Sequence, residues 1–354
     1  MPCFPPMPDA APIDDVARTA AVLAGKPIRA IAPARPGGNN RIFRVEAEDG
    51  QVFALKIYPA QDADPRDRLG AEWAALRFIA GNELGPVPAP IAAAPEQYAA
   101  LYGWVTGAPT AVTRGAVRQL ADFLAALQAL TGADGAVALR PASAACFSAN
   151  AALAQLEQRR RRLDAPAREH PPLAAFLAEA LDPAIASCIA EVRAAYAAAG
   201  RALDHELEAQ DRCLSPSDFG LHNTLADAQG GLTFLDFEYF GWDDPAKAVS
   251  DVVLHPGSAL PDDLARTFLE RAVPVFTVKD PHFPLRLKTL YPVFALIWCL
   301  IVLNEFLPER WARRVIAGTV YDQNRAQAHQ LDKARGRLAT IRNLPELAPF
   351  LATA

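Results

Sequence analysis

The sequence predicts an α+β fold, with a small antiparallel sheet and one helix in the first hundred residues and a larger, mainly helical remainder. Three observations carry this. Apolar and polar residues alternate through "PIRAIAP" (27–33) and "NRIFRVEAEDGQVFALKIY" (40–58), and Asp49-Gly50 between the runs of the second segment is a strong hairpin signal. From about Arg114 onward helical spacing takes over, across 114–131, 148–164, 172–199, 261–273, 285–306 and 310–341. Only residues 212–240 interrupt it with short strand-like pieces.

The elements follow in order. A short helix over 12–25 precedes the strands. "RDRLGAEWAALRFIAG" (66–81) places Leu69, Trp73, Leu76 and Ala80 at helical spacing, with Gly81 as its expected C-cap. "GPVPAPIAAAP" (85–95) reads as a proline-broken connector, and "QYAALYGWV" (97–105) as a last strand. The chain therefore divides into residues 1–104 and 105–354. No internal repeat is visible.

With 354 residues, 51% of them apolar and 21% charged, the chain has ample material for two cored units. A formal charge of −5 argues against nucleic acid or anionic lipid as a partner. Five scattered cysteines without a CxxC pair indicate neither a disulfide framework nor a zinc site, and they fit a reduced, cytoplasmic compartment. The proline- and acid-containing N-terminus lacks the pattern of a signal peptide. "PVFALIWCLIVL" (292–303) is too short to span a bilayer and reads as a buried helix, so no membrane partner is expected. The run Arg159 to Arg162 reads as a solvated helix face. Oligomeric state is not legible.

The chemistry-bearing residues are spread along the chain. In the second hairpin strand, alternation puts Val52, Ala54 and Lys56 on one face, a small apolar floor beside an ammonium, which suits a nucleotide base and its phosphates. Glu72 lies on the inward arc of the following helix. A carboxylate there needs a cation, and Lys56 is the natural partner. Gly37, Gly38, Asn39 and Asn40, between two strands, tolerate positive φ and could turn N–H groups toward an anion, although a plain turn explains them equally well.

The most informative segment is "SPSDFGLHNTLADAQGGLTFLDFEYFGWDDP", beginning at Ser215. It holds Asp218, then Asn223 five residues on, then Asp236 after the apolar run "LTFL". Phosphoryl transfer from Mg²⁺-ATP needs a carboxylate to orient and deprotonate the attacking hydroxyl, and oxygen ligands for a hard cation. Asp218, Asn223 and Asp236 supply that set. Asp218-Phe219-Gly220 imitates the metal-holding tripeptide of protein kinases, but the asparagine five residues later makes Asp218 the catalytic-loop aspartate and leaves Asp236 the metal role.

The combination "GGNNRIFRV…FALKIY", "AEWAAL", "YGWVTG", "SDFGLHNTL" and "FLDFEYFGWDDPAK" resembles the aminoglycoside phosphotransferase/choline kinase-like family of small-molecule kinases, over roughly residues 28–257. The resemblance implies a two-lobed, protein-kinase-like fold. ATP would sit under the Gly37–Asn40 loop, with Lys56 on its phosphates, Glu72 bracing that lysine, and Gly103, Trp104 and Val105 as the hinge that meets adenine. Asp218 would be catalytic, and Asn223 with Asp236 would hold Mg²⁺. The acceptor would be a hydroxyl of a small molecule, such as a sugar, amino sugar or amino alcohol.

Three positions depart from the family pattern: Pro216 and Gln128 where histidine is usual, and Ala248 where aspartate is usual, with Asp251 the nearest substitute. Because of Pro216 and the sparse glycines, a nucleotide-binding pseudokinase with a regulatory or scaffold role stays open as an alternative, as does nucleotidyl transfer to protein. His222 reads either as a substrate contact or as a structural loop residue. Trp242, Asp243 and Asp244 read either as acceptor-side residues or as the start of a helix, and Phe237, Tyr239, Phe240 and Trp242 as packing.

Overall fold

A computed structural model describes residues 13–34, 40–59, 66–311 and 322–342. Its first part is a five-stranded antiparallel sheet in the order β1-β2-β3-β5-β4, formed by β1 (Ile28–Pro33), β2 (Arg41–Ala47), β3 (Val52–Ile57), β4 (Pro90–Ala94) and β5 (Ala99–Gly103). β2 and β3 pair around Asp49-Gly50, with Gly50 at φ 83°, the left-handed turn position that glycine fills without strain. Alternation then sorts the side chains. Phe53 and Leu55 pack with Val16 and Ala20 of α1 (Ile13–Ala24), while Lys56 faces the other way, toward α2 (Arg68–Gly81).

Three expectations are corrected here. The connector 85–95 contains β4, an edge strand that begins with Pro90; proline is tolerated there because a first residue on an edge has no ladder N–H to lose. Helix α2 ends one residue later than expected, with Asn82 rather than Gly81 as its C-cap. Ala80 is exposed, and the buried face runs through Leu69, Glu72, Ala75, Leu76, Phe78 and Ile79.

The rest is mainly helical, the two-lobed division of a kinase-like fold. α3 (Arg114–Ala129) is capped by Thr113, whose side chain accepts from Ala116 N, and it buries Val117, Leu120, Phe123, Leu124 and Leu127 along one stripe. Phe123 stacks on Phe234 at 4.0 Å, pinning the hairpin β8 (Thr224–Ala226) to β9 (Leu232–Phe234) against the helix. The hairpin pairs with β6 (Ala108–Pro109), and β7 (Cys213–Ser215) pairs with β10 (Gly241–Asp243). One apolar cluster joins Leu76 and Ile79 of α2 to Leu124, Phe219, Phe237 and Phe268, so packing is continuous from the sheet-bearing part to the helical part.

α4 (Ala149–Arg161), α5 (Asp164–Glu169), α6 (Pro171–Phe176), α7 (Asp182–Ala198) and α11 (Gln323–Arg342) surround a second core. α8 (Pro245–Leu254) and α9 (Asp262–Thr277) complete the helical part beside α10 (Phe283–Val302). The apolar run 292–303 lies within α10 and its continuation, which together begin two residues before the expected 285 and end at the expected 306. By length and composition, helices 171–198 and 283–306 could each cross a membrane. The second instead buries Leu290, Val293, Phe294, Leu296, Cys299 and Leu300 inside the protein. Asp244 caps α8 with Pro245 at its first turn, which settles that segment as a helix start.

Candidate active site

Lys56 is 5% exposed, and its Nζ lies 2.6 Å from Glu72 Oε2, 2.6 Å from Asp236 Oδ1 and 3.7 Å from Glu238 Oε2. Strand β3 supplies the amine, α2 the first carboxylate, and the segment after β9 the other two. Burial works against the ammonium, but Asp236, Glu72 and Glu238 outweigh it and hold its pKa well above the usual lysine range. Glu72 is fixed in turn by Tyr58, whose hydroxyl donates to Oε2 at 2.6 Å, and by Phe237 N, 3.3 Å from Oε1. Asp236 keeps about a third of its side chain exposed, whereas Glu72 and Glu238 are buried. Its backbone is left-handed at φ 66°, a region that aspartate enters more readily than most residues.

The second group centres on Asp218. His222 Nε2 and His255 Nε2 each lie 3.0 Å from the same oxygen, Oδ1, leaving Oδ2 without a partner among the described residues. The two imidazoles stack at 3.9 Å, nearly parallel, and Trp298 meets His255 edge-on at 4.5 Å. Ser258 Oγ lies 3.1 Å from His222 Nδ1 and accepts from Leu221 N. Burial alone would raise the Asp218 pKa; the hydrogen bonds from His222 and His255 prevail and hold it well below the usual carboxylate range. Space for this arrangement comes from two glycines. A Cβ at Gly220 would stand 2.2 Å from Ser258 Oγ, and one at Gly257 2.8 Å from the His222 ring.

The loop needs no histidine at position 216. Ser215 Oγ accepts from Ser217 N at 3.0 Å, Asp218 N donates to Pro216 O at 2.9 Å, and Asn223 Nδ2 donates to Asp218 O at 2.9 Å. Its amide nitrogen thus engaged, Asn223 has Oδ1 to offer as a ligand. Leu235 N donates to Asn223 O at 2.9 Å, which draws Asp236 alongside. Oxygen donors from Asn223 and Asp236 fit a hard divalent cation.

Of the remaining sequence-derived candidates, Gly37, Gly38 and Asn39 lie outside the described residues. Asn40 Nδ2 donates to Glu238 Oε2 at 2.5 Å, tying the end of that loop to the segment after β9. Ala54 lies opposite Tyr102 in the sheet. Gly103, Trp104 and Val105 lead out of β5, with Trp104 N donating to Val52 O. Trp242 Nε1 donates to Ala136 O, and Asp243 and Asp244 are engaged by Lys247 and Arg286. Phe237 and Phe240 are core residues, while Tyr239 lies under the guanidinium groups of Arg66 and Arg68.

Sequence reasoning missed Glu238, Arg68 and His255. Glu238 is buried against Arg68 and shares the approach to Lys56. Its only sequence signal was a second acid two residues after Asp236. His255 had none, because 37 residues separate it from Asp218. His255→Phe preserves the ring stack and removes one charge-assisted hydrogen bond. It is expected to lower unfolding free energy by about 1.5–3 kcal/mol in urea titrations; an unchanged midpoint would contradict the contact's importance.

This fold and this clustering of lysine, carboxylates and asparagine define the class of kinase-like phosphotransferases. Residues 30–276 match the model of the phosphotransferase enzyme family, and the chain belongs to that family. No curated protein matches it in sequence. Among solved structures it is similar to spectinomycin phosphotransferase in complex with ADP and spectinomycin (TM-score 0.60, 11% identity, covering 94% of this chain and 99% of that one). It is also similar to choline kinase of Streptococcus pneumoniae (0.57, 14%, 93% and 99%). A choline/ethanolamine kinase family protein from Mesorhizobium loti is a third neighbour (0.56, 19%, 96% and 98%). At these identities the neighbours establish the shared fold.

Proposed function

We propose that the protein is an ATP- and Mg²⁺-dependent phosphotransferase that phosphorylates a hydroxyl of a small molecule in the cytosol. The single observation that carries this is the convergence of Lys56, Glu72 and Asp236 within hydrogen-bonding distance, beside a loop that ties Asn223 to Asp218. Lys56, braced by Glu72, meets the phosphates of ATP under the Gly37–Asn40 loop, and Gly103 to Val105 border the adenine. Ala54 forms part of the floor. Asn223 and Asp236 hold magnesium, which supplies charge neutralisation during transfer. Residues 1–104 serve nucleotide binding, and residues 105–354 serve catalysis and the acceptor.

Asp218 works chiefly by position. With Oδ1 held by two imidazoles, Oδ2 accepts the hydrogen bond of the acceptor hydroxyl and aims its oxygen in line. As the new oxygen–phosphorus bond forms, the bond from the γ-phosphorus to the bridging oxygen of ADP breaks, and the hydroxyl proton passes to Asp218. A carboxylate with a lowered pKa is a weak base, which suits a reaction whose transition state asks for alignment and charge stabilisation more than early proton removal.

Asp218→Ala is expected to lower kcat by about 10²–10⁴-fold with ATP affinity retained. The check is a coupled ADP-release assay over a library of hydroxylated metabolites, with isothermal titration of a non-hydrolysable ATP analogue alongside. Full turnover in the variant would remove the assignment. Nucleotide binding by the wild type without turnover of any acceptor would favour the pseudokinase alternative, and a mass gain of AMP on an acceptor would favour nucleotidyl transfer.

A further inference from the structure

Four consecutive arginines form the last turn of α4 and its C-cap, Arg162, and three of them are matched. Arg160 pairs with Asp164 at 2.6 Å and Asp182 at 2.5 Å, Arg161 with Glu157 at 3.7 Å, and Arg162 with Glu309 at 2.7 Å. Arg159 has no ion-pair or hydrogen-bond partner among the described residues. It is not on the solvated face expected from the sequence. Ala152 and Leu156 are buried on the same side of the helix, and Arg159, seven and three residues further along, is half-buried at the end of that inward stripe.

The surroundings connect Arg159 to the Asp218 group, because Asp251, within electrostatic reach of Arg159, accepts from Trp298 Nε1, and Trp298 meets His255 edge-on. One turn earlier on α4, Gln155 Nε2 donates to Ala144 O at 3.0 Å and Ala145 O at 3.2 Å. That segment is bonded to the catalytic region, with Ser143 N to Tyr239 O at 3.0 Å and Cys146 N to Asp243 Oδ1 at 2.9 Å. Arg66 lies over the Tyr239 ring at 5.1 Å. Asp251, the acid within electrostatic reach of Arg159, is already committed to Lys247 at 2.7 Å and to Trp298 Nε1 at 2.8 Å. Burial, and then the neighbouring Arg162, lower the pKa of Arg159, so the guanidinium is held where its charge is under-compensated.

We propose that Arg159 recognises an anionic group on the acceptor, so that the substrate class is a hydroxylated carboxylate or phosphate ester rather than a cationic amino sugar or amino alcohol. The inference deepens the phosphotransferase reading and rests on it. A cation kept partly dehydrated without a counter-ion costs free energy that an incoming anion recovers, and a guanidinium suits carboxylate and phosphate oxygens through paired N–H donors. A cationic acceptor would instead need uncommitted carboxylates beside α8 and the segment after β9, and there Asp243, Asp244, Asp251 and Glu238 are each engaged by a lysine or arginine.

The test is ADP release by the full chain with Mg²⁺-ATP and a panel matched by charge. D-Glycerate, D-gluconate and glycerol 3-phosphate are the anions, glycerol and D-glucose the neutral compounds, and choline, ethanolamine and D-glucosamine the cations. The expected result is highest kcat/KM with an anionic member, the carboxylate and phosphate arms showing which anion is read. Arg159→Gln is expected to raise KM for that acceptor on the order of 10²-fold, with KM for ATP unchanged and Arg159→Lys intermediate. Preferred turnover of a neutral or cationic acceptor, or a rise in KM for ATP instead, overturns the proposal and leaves the phosphotransferase reading standing. If no member is turned over, calorimetry with D-glycerate, glycerol 3-phosphate and inorganic phosphate, in the presence of a non-hydrolysable ATP analogue, decides. Anion binding lost in Arg159→Gln supports the proposal and its absence from the wild type overturns it. Failure of the analogue itself to bind is the separate failure of the nucleotide reading.

Discussion

Replacing Asp236 by alanine is expected to lower phosphoryl transfer by on the order of 10³-fold or more, about 4 kcal/mol of transition-state stabilisation. Asp236 is the one carboxylate around Lys56 that keeps substantial exposure, a third of its side chain, so it is the one that can reach a cation in the cleft. Glu72 and Glu238 are consumed by internal partners, Tyr58 and Phe237 N for the first, Arg68 and Asn40 for the second. The substitution removes one of three negative neighbours of Lys56 but leaves its 2.6 Å pair with Glu72, so the fold is expected to survive. The measurement is ADP release across a Mg²⁺ titration, with circular dichroism as the fold control. A folded variant with wild-type turnover would remove Asp236 from the proposed metal site.

The largest expected effect on stability is at Lys247. Its Nζ sits between Asp243 Oδ2 at 3.1 Å and Asp251 Oδ2 at 2.7 Å, and all three residues are buried. Lys247→Met keeps much of the volume but leaves two buried carboxylates without a cation, a change expected to cost about 3–5 kcal/mol at pH 8. Even in the wild type, burial pushes the Asp243 carboxyl up to about 6, against the pull of Lys247 and the bond from Cys146 N. Between the ordinary value near 4 and about 6 the folded state therefore binds a proton that the unfolded state has released. That contribution is complete below the unfolded pKa and is lost as pH rises through the folded one. Removing the lysine raises the folded value further, so the deficit of the variant should shrink as pH falls from 8 toward 5. Urea unfolding at several pH values reads this directly. A deficit that is constant with pH would mean that Lys247 acts by packing alone.

Local patterns in the chain were enough to anticipate several of the contacts of the candidate site. Period-2 alternation put Lys56 opposite Phe53 and Leu55, and helical spacing put Glu72 on the inner arc of α2. Their pairing followed because a buried carboxylate requires a cation. The spacing from Asp218 to Asn223 gave the two aspartates different expected roles despite the misleading Phe219 and Gly220. Boundaries were less legible. β4 was hidden by prolines that an edge strand tolerates, and the C-terminal end of α2 shifted by one residue because Asn82 caps it.

By itself, then, the sequence determined the α+β class, the Asp49-Gly50 hairpin, the Lys56–Glu72 pair and the loop that joins Asn223 to Asp218, since each depends on residues that are neighbours along a strand, a helix or a loop. Only the tertiary structure decided that His255 holds Asp218 together with His222, that Glu238 is committed to Arg68, and that Arg159 alone of four arginines turns inward without an acid. Those relations join residues tens to hundreds of positions apart. Which side chain meets which across such distances is set by how helices and sheet pack, and no local period encodes it.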